Sequence, residues 1–409
     1  MSDHADAQTQ GIIVSVIMPA YNEERYLAQS LDSVLNQSLK QTEIICIDDG
    51  SEDGTLEILE EYRERNEKIR VIRHAHGGQS RARNAGMEAA AGKYLLFLDS
   101  DDLLEEDALL KLVERAQRQD LDLLLYNMSP FWEDPSMDST GESYRRFYQR
   151  SRDPEYEQVN TGLSLQEILI RNGDYQPSAC AYLLKREMAA SHGLSFYPGI
   201  LHEDNLFTFK AMQAAERAGL YSEELYRRRL HPGSIMTTET NFNNAYGYLV
   251  CGNEMIRSAA LRQGFGSFTD AQAEIIRRMQ MHAAQIWSTL SDAQKEEALE
   301  RVGDLSGFLY CGLENLAIRQ SYAVKIEELH ETLQKTYAEK SEINAKLQKT
   351  YAEKAERGIQ IKELTKQLEK SQKRLSDIEN SRSYKAVKKV TGMKDRIAGR
   401  SGGEGGASG

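Results

Sequence analysis

Residues 94–102 read YLLFLDSDD, so a run of five hydrophobic residues ends directly in three carboxylates and one serine. A short apolar run bounded by polar residues predicts a buried strand. Carboxylates crowded at the end of such a strand repel one another unless a cation lies between them. Their oxygen atoms favour Mg²⁺ or Mn²⁺, which commonly bridge substrate phosphates. The alternative is an N-cap cluster ahead of a helix at Glu105.

Similar hydrophobic runs precede this one at intervals of about 25 to 30 residues, with segments of helical spacing between them. This alternation predicts an α/β fold with a mostly parallel central sheet and helices on both faces. In an open sheet of this kind, ligands bind at the carboxyl ends of the strands. The predicted strands are Ile12–Met18, Glu43–Ile47, Ile69–Ile72 and Tyr94–Leu98, followed by Leu121–Tyr126 and Ala179–Leu184.

The first two strands lead into turn-forming and acidic residues. PAYNEE follows the first strand at residues 19–24; its proline fixes a turn and its tyrosine can lie against a flat ring, although an ordinary strand-to-helix turn is the alternative. DDGSEDGT follows the second strand, and its paired Asp48 and Asp49 suit a base or ribose contact. Capping of the next helix explains Ser51 or Asp53 but not the acid pair.

The third strand leads into HGGQSRARNAG, residues 76–86. Its glycines allow close backbone approach, and Arg81 and Arg83 place positive charge near a cleft otherwise lined by acids. The stretch is neither a GxxxxGK[ST] phosphate loop nor a GxGxxG dinucleotide turn. This argues against an ATPase or an NAD-dependent enzyme.

The blocks PAYNEE, DDGSEDGT, GGQSRARNAG and DSDD occur together, each at a predicted strand end. In this the chain resembles the family 2 glycosyltransferases, whose nucleotide-sugar-binding fold is called GT-A. The resemblance covers about residues 12–235, over half of the chain. It implies an inverting enzyme that moves a sugar from a nucleoside diphosphate sugar, with a UDP-sugar favoured, to an acceptor hydroxyl.

The resemblance also implies roles on the donor side. Asp99 would contact the ribose with Ser100 beside it, and Asp101 would hold the Mn²⁺ or Mg²⁺ ion that binds the diphosphate. Asp99 and His231 are further candidate metal ligands. The residues implied for the nucleoside pocket are Pro19, Ala20, Tyr21, Glu23, Asp49 and Arg83, with Asp49 at the base.

Two later stretches resemble further family elements. In HED at residues 202–204, Asp204 would be the general base and Glu203 its acidic neighbour in the catalytic pair, although an acid at a helix start is also a good N-cap. YRRRLHPGS at residues 226–234 resembles the loop that closes after the last strand, where Arg229 or His231 would approach the diphosphate or metal. A basic surface strand is the alternative.

A polar, aromatic segment at Phe131–Asn160 interrupts the sheet pattern. Long insertions inside a sheet domain are usually functional or mobile. The segment is therefore predicted to recognise the acceptor, with a surface loop as the alternative.

Charge and cysteine usage limit the classes of partner. The net charge is −12, but residues 322–400 carry 19 Lys and Arg against 12 Asp and Glu, which leaves −19 on the rest. An acidic body disfavours nucleic-acid binding. The N-terminus is polar, no run of eighteen apolar residues exists, and the four cysteines form no CxxC pair. These features predict a cytoplasmic protein with neither signal peptide, membrane span, disulfide framework nor zinc cage.

The C-terminal part follows one heptad phase from Ile326 to Ile378, in which ten of sixteen a and d positions are apolar and LQKTYAEK occurs twice, fourteen residues apart. It predicts a coiled coil that joins two or three copies, with a single solvated helix as the alternative. The predicted division is a flexible N-terminus (1–11), a GT-A domain (12–240), a helical subdomain (241–321), a coiled coil (322–380) and a basic, then Gly/Ser-rich flexible tail (381–409).

The sequence thus predicts a metal-dependent hexosyl- or N-acetylhexosaminyl-type transferase. The family resemblance places it in surface polysaccharide synthesis, with a glycan or lipid-linked acceptor. The basic tail predicts peripheral contact with the inner face of the cell membrane, or is simply solvated. The rival functions are a coiled-coil scaffold with an inactive GT-A domain, which the intact acids Asp99, Asp101 and Asp204 disfavour, and a nucleotidyltransferase, for which a basic glycine-rich triphosphate loop is missing.

Overall fold

The computed structural model describes residues 11–132, 145, 148–231, 241–263, 268–302, 329, 331–343 and 358–389. The chain divides into two compact units, Met1–Ala298 and Leu299–Gly409. Residues 1–10, most of the aromatic segment after Trp132, the Pro-Gly-Ser that follows His231, the predicted boundary at residue 321 and the chain after residue 389 lie outside the described residues. The predictions made for them stay predictions.

The first unit is built on one eight-stranded sheet whose order is β3-β2-β1-β4-β7-β6-β8-β5. Four neighbouring pairs are parallel and three are antiparallel. The strands are β1 Val14–Ala20, β2 Thr42–Asp48, β3 Ile69–Arg73, β4 Tyr94–Phe97, β5 Leu103–Leu104, β6 Leu123–Trp132, β7 Tyr182–Lys185 and β8 Ala218–Leu230.

The half of the sheet formed by β3, β2, β1 and β4 is parallel, as predicted. Its central strands β1 and β2 are buried along their whole length, because helices cover both faces. The loops that follow β1, β2 and β4 therefore meet at one edge of the sheet, and the loop after β3 lies beside them.

The other half corrects the prediction of a mostly parallel sheet. Strand β7 runs antiparallel to both β4 and β6, and β5 runs antiparallel to β8. Strand β8 was not among the predicted strands, yet it is the longest of the sheet at thirteen residues. It contains Tyr226–Leu230, so these residues are the end of a strand rather than a closing loop, and only His231 follows it among the described residues nearby.

Several helices that follow the first strands pack against this sheet, and the last helix given below crosses from the first unit into the second. Leu27, Leu31 and Val34 of the first helix are buried, as their helical spacing predicts. The helices are α1 Leu27–Leu35, α2 Thr55–Arg65, α3 Gln79–Ala89, α4 Ala108–Arg118, α5 Gly162–Asn172, α6 Arg186–Ser191, α7 Glu203–Ala214, α8 Phe242–Gln263, α9 Asp270–Thr289 and α10 Asp292–Val302. Short 3₁₀ turns lie at Pro154–Glu157 and Ala179–Ala181.

The long helices α8 and α9 pack against each other, and α8 also contacts α7. Helix α9 begins with a capping box. The Thr269 side chain accepts from the backbone N–H of Gln272, and the Gln272 side chain accepts from the backbone N–H of Thr269. The buried side chains Met255, Met279 and Trp287 belong to this helical pair. The helical pattern predicted after residue 241 is therefore observed, packed beside the helix that carries Glu203 and Asp204.

The second unit contains a helix at 331–343 (α11), a helix at Gly358–Asn380 (α12) and a further helical stretch at 382–389. The Tyr337 hydroxyl donates to Glu379 at 2.9 Å, although the two residues are 42 apart in sequence. A straight helix of that length would hold them about 60 Å apart. The two helices therefore contact each other, and the described residues do not lie along one straight helix.

The heptad phase itself agrees with the side chains that this pairing shields. Leu333, Thr336, Ser371 and Leu375 are buried, and all four occupy a or d positions of the predicted repeat. Within the described residues of this unit, the apolar face is thus covered from inside one chain. A coiled coil between copies stays a prediction.

None of the helices that the structure describes combines the length and apolar character needed to cross a bilayer. Cys46, Cys180 and Cys251 are buried thiols without a disulfide, while Cys311 lies outside the described part.

Candidate active site

The loops after β1 and β2 are joined by hydrogen bonds at the predicted ligand-binding edge. The backbone N–H of Asn22 donates to Ser51 Oγ at 3.0 Å, and that of Glu23 donates to Thr55 Oγ1 at 2.7 Å. In return, the Glu52 N–H donates to Asn22 Oδ1 at 2.9 Å. Asn22 has a left-handed backbone, with φ of 54°, which lets the chain turn sharply out of the strand. PAYNEE and DDGSEDGT therefore form one rigid rim.

Asp49 lies at the centre of this rim and is 3 % exposed. Its two carboxylate oxygens accept the backbone N–H groups of Gly77 and Gly78, each at 2.8 Å. Gly78 has a φ of 85°, a conformation in which an L side chain is strained, so a glycine is suited to this position. The carboxylate is thereby fixed in orientation by the loop after β3.

Two rings flank Asp49. The imidazole of His76 and the phenol ring of Tyr21 have centroids 4.2 Å apart, and His76 Nδ1 lies 3.1 Å from Asp49 Oδ2. Tyr21 is 42 % exposed, so part of its ring is open to a ligand. A cavity of about 590 Å³ adjoins these groups. It is lined by Gly50, Ser51, Glu52, Arg73, His74, Ala75 and His76.

Pro19, Ala20, Tyr21, Glu23 and Asp49 are thus brought together as predicted, but Arg83 is not among them. Arg83 is 4 % exposed and bridges Asp99 to Glu203: its Nη2 donates to Asp99 Oδ1 at 2.9 Å and its Nη1 to Glu203 Oε1 at 2.7 Å. The two carboxylates outweigh burial and raise the pKa of Arg83 further above its ordinary value. Arg83 thus contacts the carboxylates of Asp99 and Glu203, and its support of the nucleoside pocket stays a prediction.

Asp99 is held by cations on both oxygens. Besides Arg83 on Oδ1, Arg228 Nη1 donates to Oδ2 at 2.7 Å, and Gln79 Nε2 donates to Oδ1 at 3.2 Å. Burial alone would raise the pKa of Asp99, but Arg83 and Arg228 lower it instead. With both oxygens already accepting strong hydrogen bonds, Asp99 is a weaker candidate for a metal ligand than its neighbour Asp101.

Asp102 is fully buried, and the hydrogen bonds that it accepts hold the backbone of the site in place. Its Oδ1 accepts the Arg229 N–H at 2.7 Å and its Oδ2 accepts the Tyr226 hydroxyl at 2.6 Å. The adjoining Ser100 is also buried, and its carbonyl accepts from the Ser30 hydroxyl at 2.8 Å. These bonds fix the acidic loop to β8 and α1.

Arg229 connects neighbouring elements of the site, and the approach of Arg229 or His231 to the diphosphate or metal stays a prediction. Its guanidinium carbon lies 4.6 Å from the ring centre of Tyr26 and 4.8 Å from that of Phe131, between the two aromatic rings. Its Nε donates to the Asp101 carbonyl at 2.7 Å, its Nη2 donates to Gln29, and the residue is 4 % exposed. Arg229 thus ties β8 to α1.

Asp101 and His231 do come together, with Nε2 of the imidazole 3.3 Å from Oδ2 of the carboxylate. Glu23 faces the same place: burial and the charge of Asp101 raise the pKa of Glu23 to about 7, with Asp99 adding to the effect and His231 opposing it. Negative charge therefore converges here in excess of the nearby cations.

This donor set fits a divalent cation. Oxygen atoms from Asp99, Asp101 and Asp102 lie within 4.8 Å of one another. Since Asp99 and Asp102 already accept several hydrogen bonds, Asp101 and His231 are the ligands best placed to hold Mg²⁺ or Mn²⁺, and a carboxylate with an imidazole suits either the harder or the more borderline ion.

Glu203 and Asp204 begin α7, which contacts helix α8. Glu203 pairs with Arg83, whereas Asp204 Oδ1 accepts hydrogen bonds from two neutral donors, the backbone N–H and the side-chain Nδ2 of Asn205, at 2.9 and 3.0 Å. Burial and the negative charge of Glu203 raise the pKa of Asp204 to about 7. Asp204 thus has the properties of a general base near neutral pH.

The residue before this pair has an unusual conformation. His202 has a φ of 66°, a left-handed value that costs energy for a residue with a side chain. Helix α8 supports it: the ring of Tyr248 stacks on its imidazole at 3.9 Å, Asn244 Nδ2 lies 3.2 Å from its Nε2, and Cys251 Sγ lies 3.3 Å from its carbonyl oxygen.

Three residues of the site were not among the predicted ones: Arg228, Tyr226 and Gln79. In a strand, side chains alternate between the two faces. Tyr226 and Arg228 share the face that meets Asp102 and Asp99, whereas Arg227 and Arg229 both lie against Phe131. Had YRRRL been predicted as a strand, the alternation of its side chains would have assigned Arg228 to the opposite face from Arg227 and Arg229.

Comparisons with known proteins agree with this architecture. The profile of the family Glycosyl transferase family 2 matches residues 15–164. "Uncharacterized glycosyltransferase EpsJ" of Bacillus subtilis is 34 % identical over 232 residues, 54 % of this chain and 62 % of EpsJ, so the chain spans less than two thirds of that relative. "Glycosyltransferase GlyG" of Streptococcus pneumoniae is 30 % identical over 56 % of this chain and 74 % of GlyG.

A crystal structure of Staphylococcus aureus TarS residues 1–349 in complex with UDP-GlcNAc shares the fold, with a TM-score of 0.51 and 19 % identity over 76 % of this chain and 92 % of that one. The family profile and the sequence relatives show that this chain belongs to glycosyltransferase family 2.

Proposed function

We propose that the protein is an inverting, metal-dependent glycosyltransferase that moves a hexose or N-acetylhexosamine from a UDP-sugar to an acceptor hydroxyl. The observation that carries the proposal is the arrangement of Asp101 with His231 at one end of the carboxyl edge and Asp204 at the other, with Asp99 and Arg83 between them. Binding of the leaving diphosphate and removal of a proton are thereby separated within one site.

The donor base would lie between the rim of β1 and β2 and the loop after β3. Asp49 is a carboxylate acceptor for an imide N–H, and Tyr21 and His76 offer ring faces for stacking. Uracil has such an N–H between two carbonyls. The UDP-GlcNAc named in the TarS complex is consistent with this choice of donor.

The cation held by Asp101 and His231 would supply charge that stabilises the departing diphosphate. Asp101 lies on the loop that Asp102 and Arg229 fix to β8, so the ligand geometry is set before the donor binds. Glu23, whose pKa is raised by the same acids, lies beside this position and loses part of that repulsion when positive charge is present.

Asp204 would accept the proton of the acceptor hydroxyl as that oxygen attacks the anomeric carbon. The C–O bond to the diphosphate breaks as the new glycosidic bond forms, so the configuration inverts. General-base assistance of this kind contributes roughly 10²- to 10⁴-fold.

The acceptor would be a glycan or a lipid-linked sugar of a surface polysaccharide, as the family resemblance implies, and would reach Asp204 past helix α8. Contact of the basic tail with an anionic membrane and association of copies through the heptad segment belong to this proposal as well. Liposome co-sedimentation with and without residues 382–409 tests the first, and light scattering tests the second.

Thermal melting with UDP, GDP, ADP and CDP, each with and without Mn²⁺, tests the donor site. We expect a shift with UDP that depends on the metal, followed by UDP release from a UDP-sugar panel. No shift with any nucleotide would instead support a scaffold with an inactive domain.

A further inference from the structure

Arg83 is one cation between two carboxylates that belong to different parts of the site. It projects from α3, and its partners are Asp99 after β4 and Glu203 at the start of α7, at 2.9 and 2.7 Å. The three side chains are 5, 13 and 10 % exposed. At such burial the pairs are poorly screened, so each charge acts strongly on its neighbours.

The next residue along α7 is Asp204, whose pKa responds to both members of the Glu203–Arg83 pair. Burial and Glu203 raise it, while Arg83 lowers it. Asp204 therefore lies within the field of a buried arginine that donates its hydrogen bonds to other carboxylates. One of them is Glu203.

The other titratable groups that face Asp204 carry no charge near neutral pH. Burial raises the pKa of each of them, and the charge of Asp204 adds to the effect; they are Tyr148, Tyr175, Tyr182 and Tyr248, and the thiol of Cys251. Burial lowers the pKa of the adjacent His202 to about 4, which keeps its ring neutral. Glu203 and Arg83 are thus the charged groups that set the field at Asp204 among the described residues.

We infer that Glu203 is a positioning residue whose ion pair with Arg83 prevents that arginine from pairing with Asp204, and so keeps Asp204 available as the base. Glu203 does not touch the reacting atoms in this arrangement. The inference rests on the proposed function for the role of Asp204, but the ion-pair geometry itself does not depend on it.

The geometry explains why the two acids are adjacent on a helix start. Residues i and i+1 of a helix point about 100° apart, so one carboxylate can turn to α3 while the other faces the acceptor side. If Glu203 loses its charge, Arg83 keeps Asp99 as its charged partner, and we expect its second donor nitrogen to turn towards Asp204, whose charge also acts on Arg83. An arginine this close lowers a carboxyl pKa by about 1 to 3.

The test is a carboxyl NMR titration of the full chain labelled with [γ-¹³C]aspartate, in which the Asp204 signal is assigned by its loss in Asp204→Asn. We expect Glu203→Gln to lower the Asp204 titration midpoint by about one pH unit or more, and Arg83→Gln to raise it. The double variant Arg83→Gln/Glu203→Gln should return the midpoint close to that of the unchanged protein. Opposite shifts that cancel are not expected from a general loss of packing.

An unchanged midpoint in Glu203→Gln, or shifts of the same sign in both single variants, would overturn the inference. Where Glu203→Gln fails to fold by circular dichroism, Glu203→Asp serves instead: it keeps the charge but shortens the reach, and we expect a smaller downward shift. Glu187→Gln, an exposed glutamate in the first turn of α6, is the matched control and should leave the Asp204 midpoint unchanged.

The pH profile of UDP release from the UDP-sugar separates the two proposals. In Glu203→Gln the acidic limb should move to lower pH together with the NMR midpoint, with kcat reduced and the donor KM unchanged. A titration that follows the expected pattern without any UDP release would count against the transferase and leave the ion-pair inference in place. UDP release with the same pH profile in Glu203→Gln as in the unchanged protein would count against the ion-pair inference and leave the transferase proposal in place.

Discussion

The two halves of the sheet contribute different things to the site. The parallel half, β3-β2-β1-β4, ends in loops that form the nucleoside rim around Asp49 and present Asp101. The mixed half, β7-β6-β8-β5, contributes Arg228 from β8 and His231 directly after it, and the chain between β7 and β8 contributes Glu203 and Asp204. In the proposed function, the donor-binding groups thus come mainly from the first half, and the proposed base comes from the second.

Among the changes that test this comparison, a substitution at Asp204 should have the largest effect on the rate of sugar transfer. Asp204→Asn keeps the shape of the side chain but removes the base, so sugar transfer should fall by roughly 10²- to 10⁴-fold. The UDP-induced rise in melting temperature should stay, because the nucleoside rim is untouched. Rates of UDP release and melting curves measure the two separately.

Asp292→Asn is the matched control for this change, since Asp292 is an exposed acid in the first turn of α10. It should leave both readouts unchanged. Loss of UDP binding in Asp204→Asn would show that donor binding also depends on Asp204, so that binding and proton transfer are not assigned to separate halves.

Asp101→Ala tests the opposite side of the comparison. The change removes the carboxylate that faces His231, so the Mn²⁺-dependent part of the UDP melting shift should disappear. Glu106→Ala, at an exposed acid just after β5, should keep it. A full metal-dependent shift in Asp101→Ala would move the metal assignment to Asp99 or Asp102.

The pH dependence of transfer follows from Asp204. Its pKa is raised to about 7 by burial and by Glu203, and the carboxylate must be ionised to accept a proton. The rate should therefore rise as the pH increases from about 6 to 8 and then level off. UDP release at saturating donor across this range measures it, and a rate that is already constant at pH 6 would exclude Asp204 as the titrating base.

Tyr226→Phe examines how β8 is fixed to the acidic loop. The change removes the hydroxyl that donates to buried Asp102 at 2.6 Å and leaves Arg228 as the nearest donor to that oxygen, at 3.2 Å. The free energy of unfolding should fall by about 1–3 kcal/mol. Tyr221→Phe removes an exposed hydroxyl that donates to Glu223 and should cost less, as urea denaturation of both variants will measure.

The parallel half was the more predictable from sequence for a physical reason. Its inner strands β1, β2 and β4 are buried along their length, so Val14–Ala20 and Tyr94–Phe97 appear as largely apolar runs whose ends carry the candidate site residues. Strand β8 has one face against aromatic rings and the other against the acids, so it is built from Tyr, Arg and Leu and has no apolar run. For that reason the sequence did not single out Arg228, whose side chain lies on the face of β8 that meets the acids.

The heptad segment shows the same limit in another form. Its a and d positions correctly identified the shielded residues Leu333 and Leu375, because periodicity reports which face is buried. It does not report what covers that face. Here the contact between Tyr337 and Glu379 shows that α11 and α12 of one chain contact each other.

The smallest expected effect concerns His76, on the nucleoside rim. Its ring lies 4.2 Å from that of Tyr21 and beside the cavity of about 590 Å³, but it is largely exposed, so it contributes stacking and orientation rather than an essential contact. His76→Ala should weaken UDP binding by about 0.5–1.5 kcal/mol, or roughly two- to tenfold in Kd, while kcat at saturating donor stays unchanged. His74→Ala, on the same loop, is the control and should change the Kd less, because His74 has no ring contact with Tyr21. If His76→Ala reduced kcat instead, the rim would be coupled to the base through Asp49 and the loop after β3, and the division between a binding half and a chemical half would have to be abandoned.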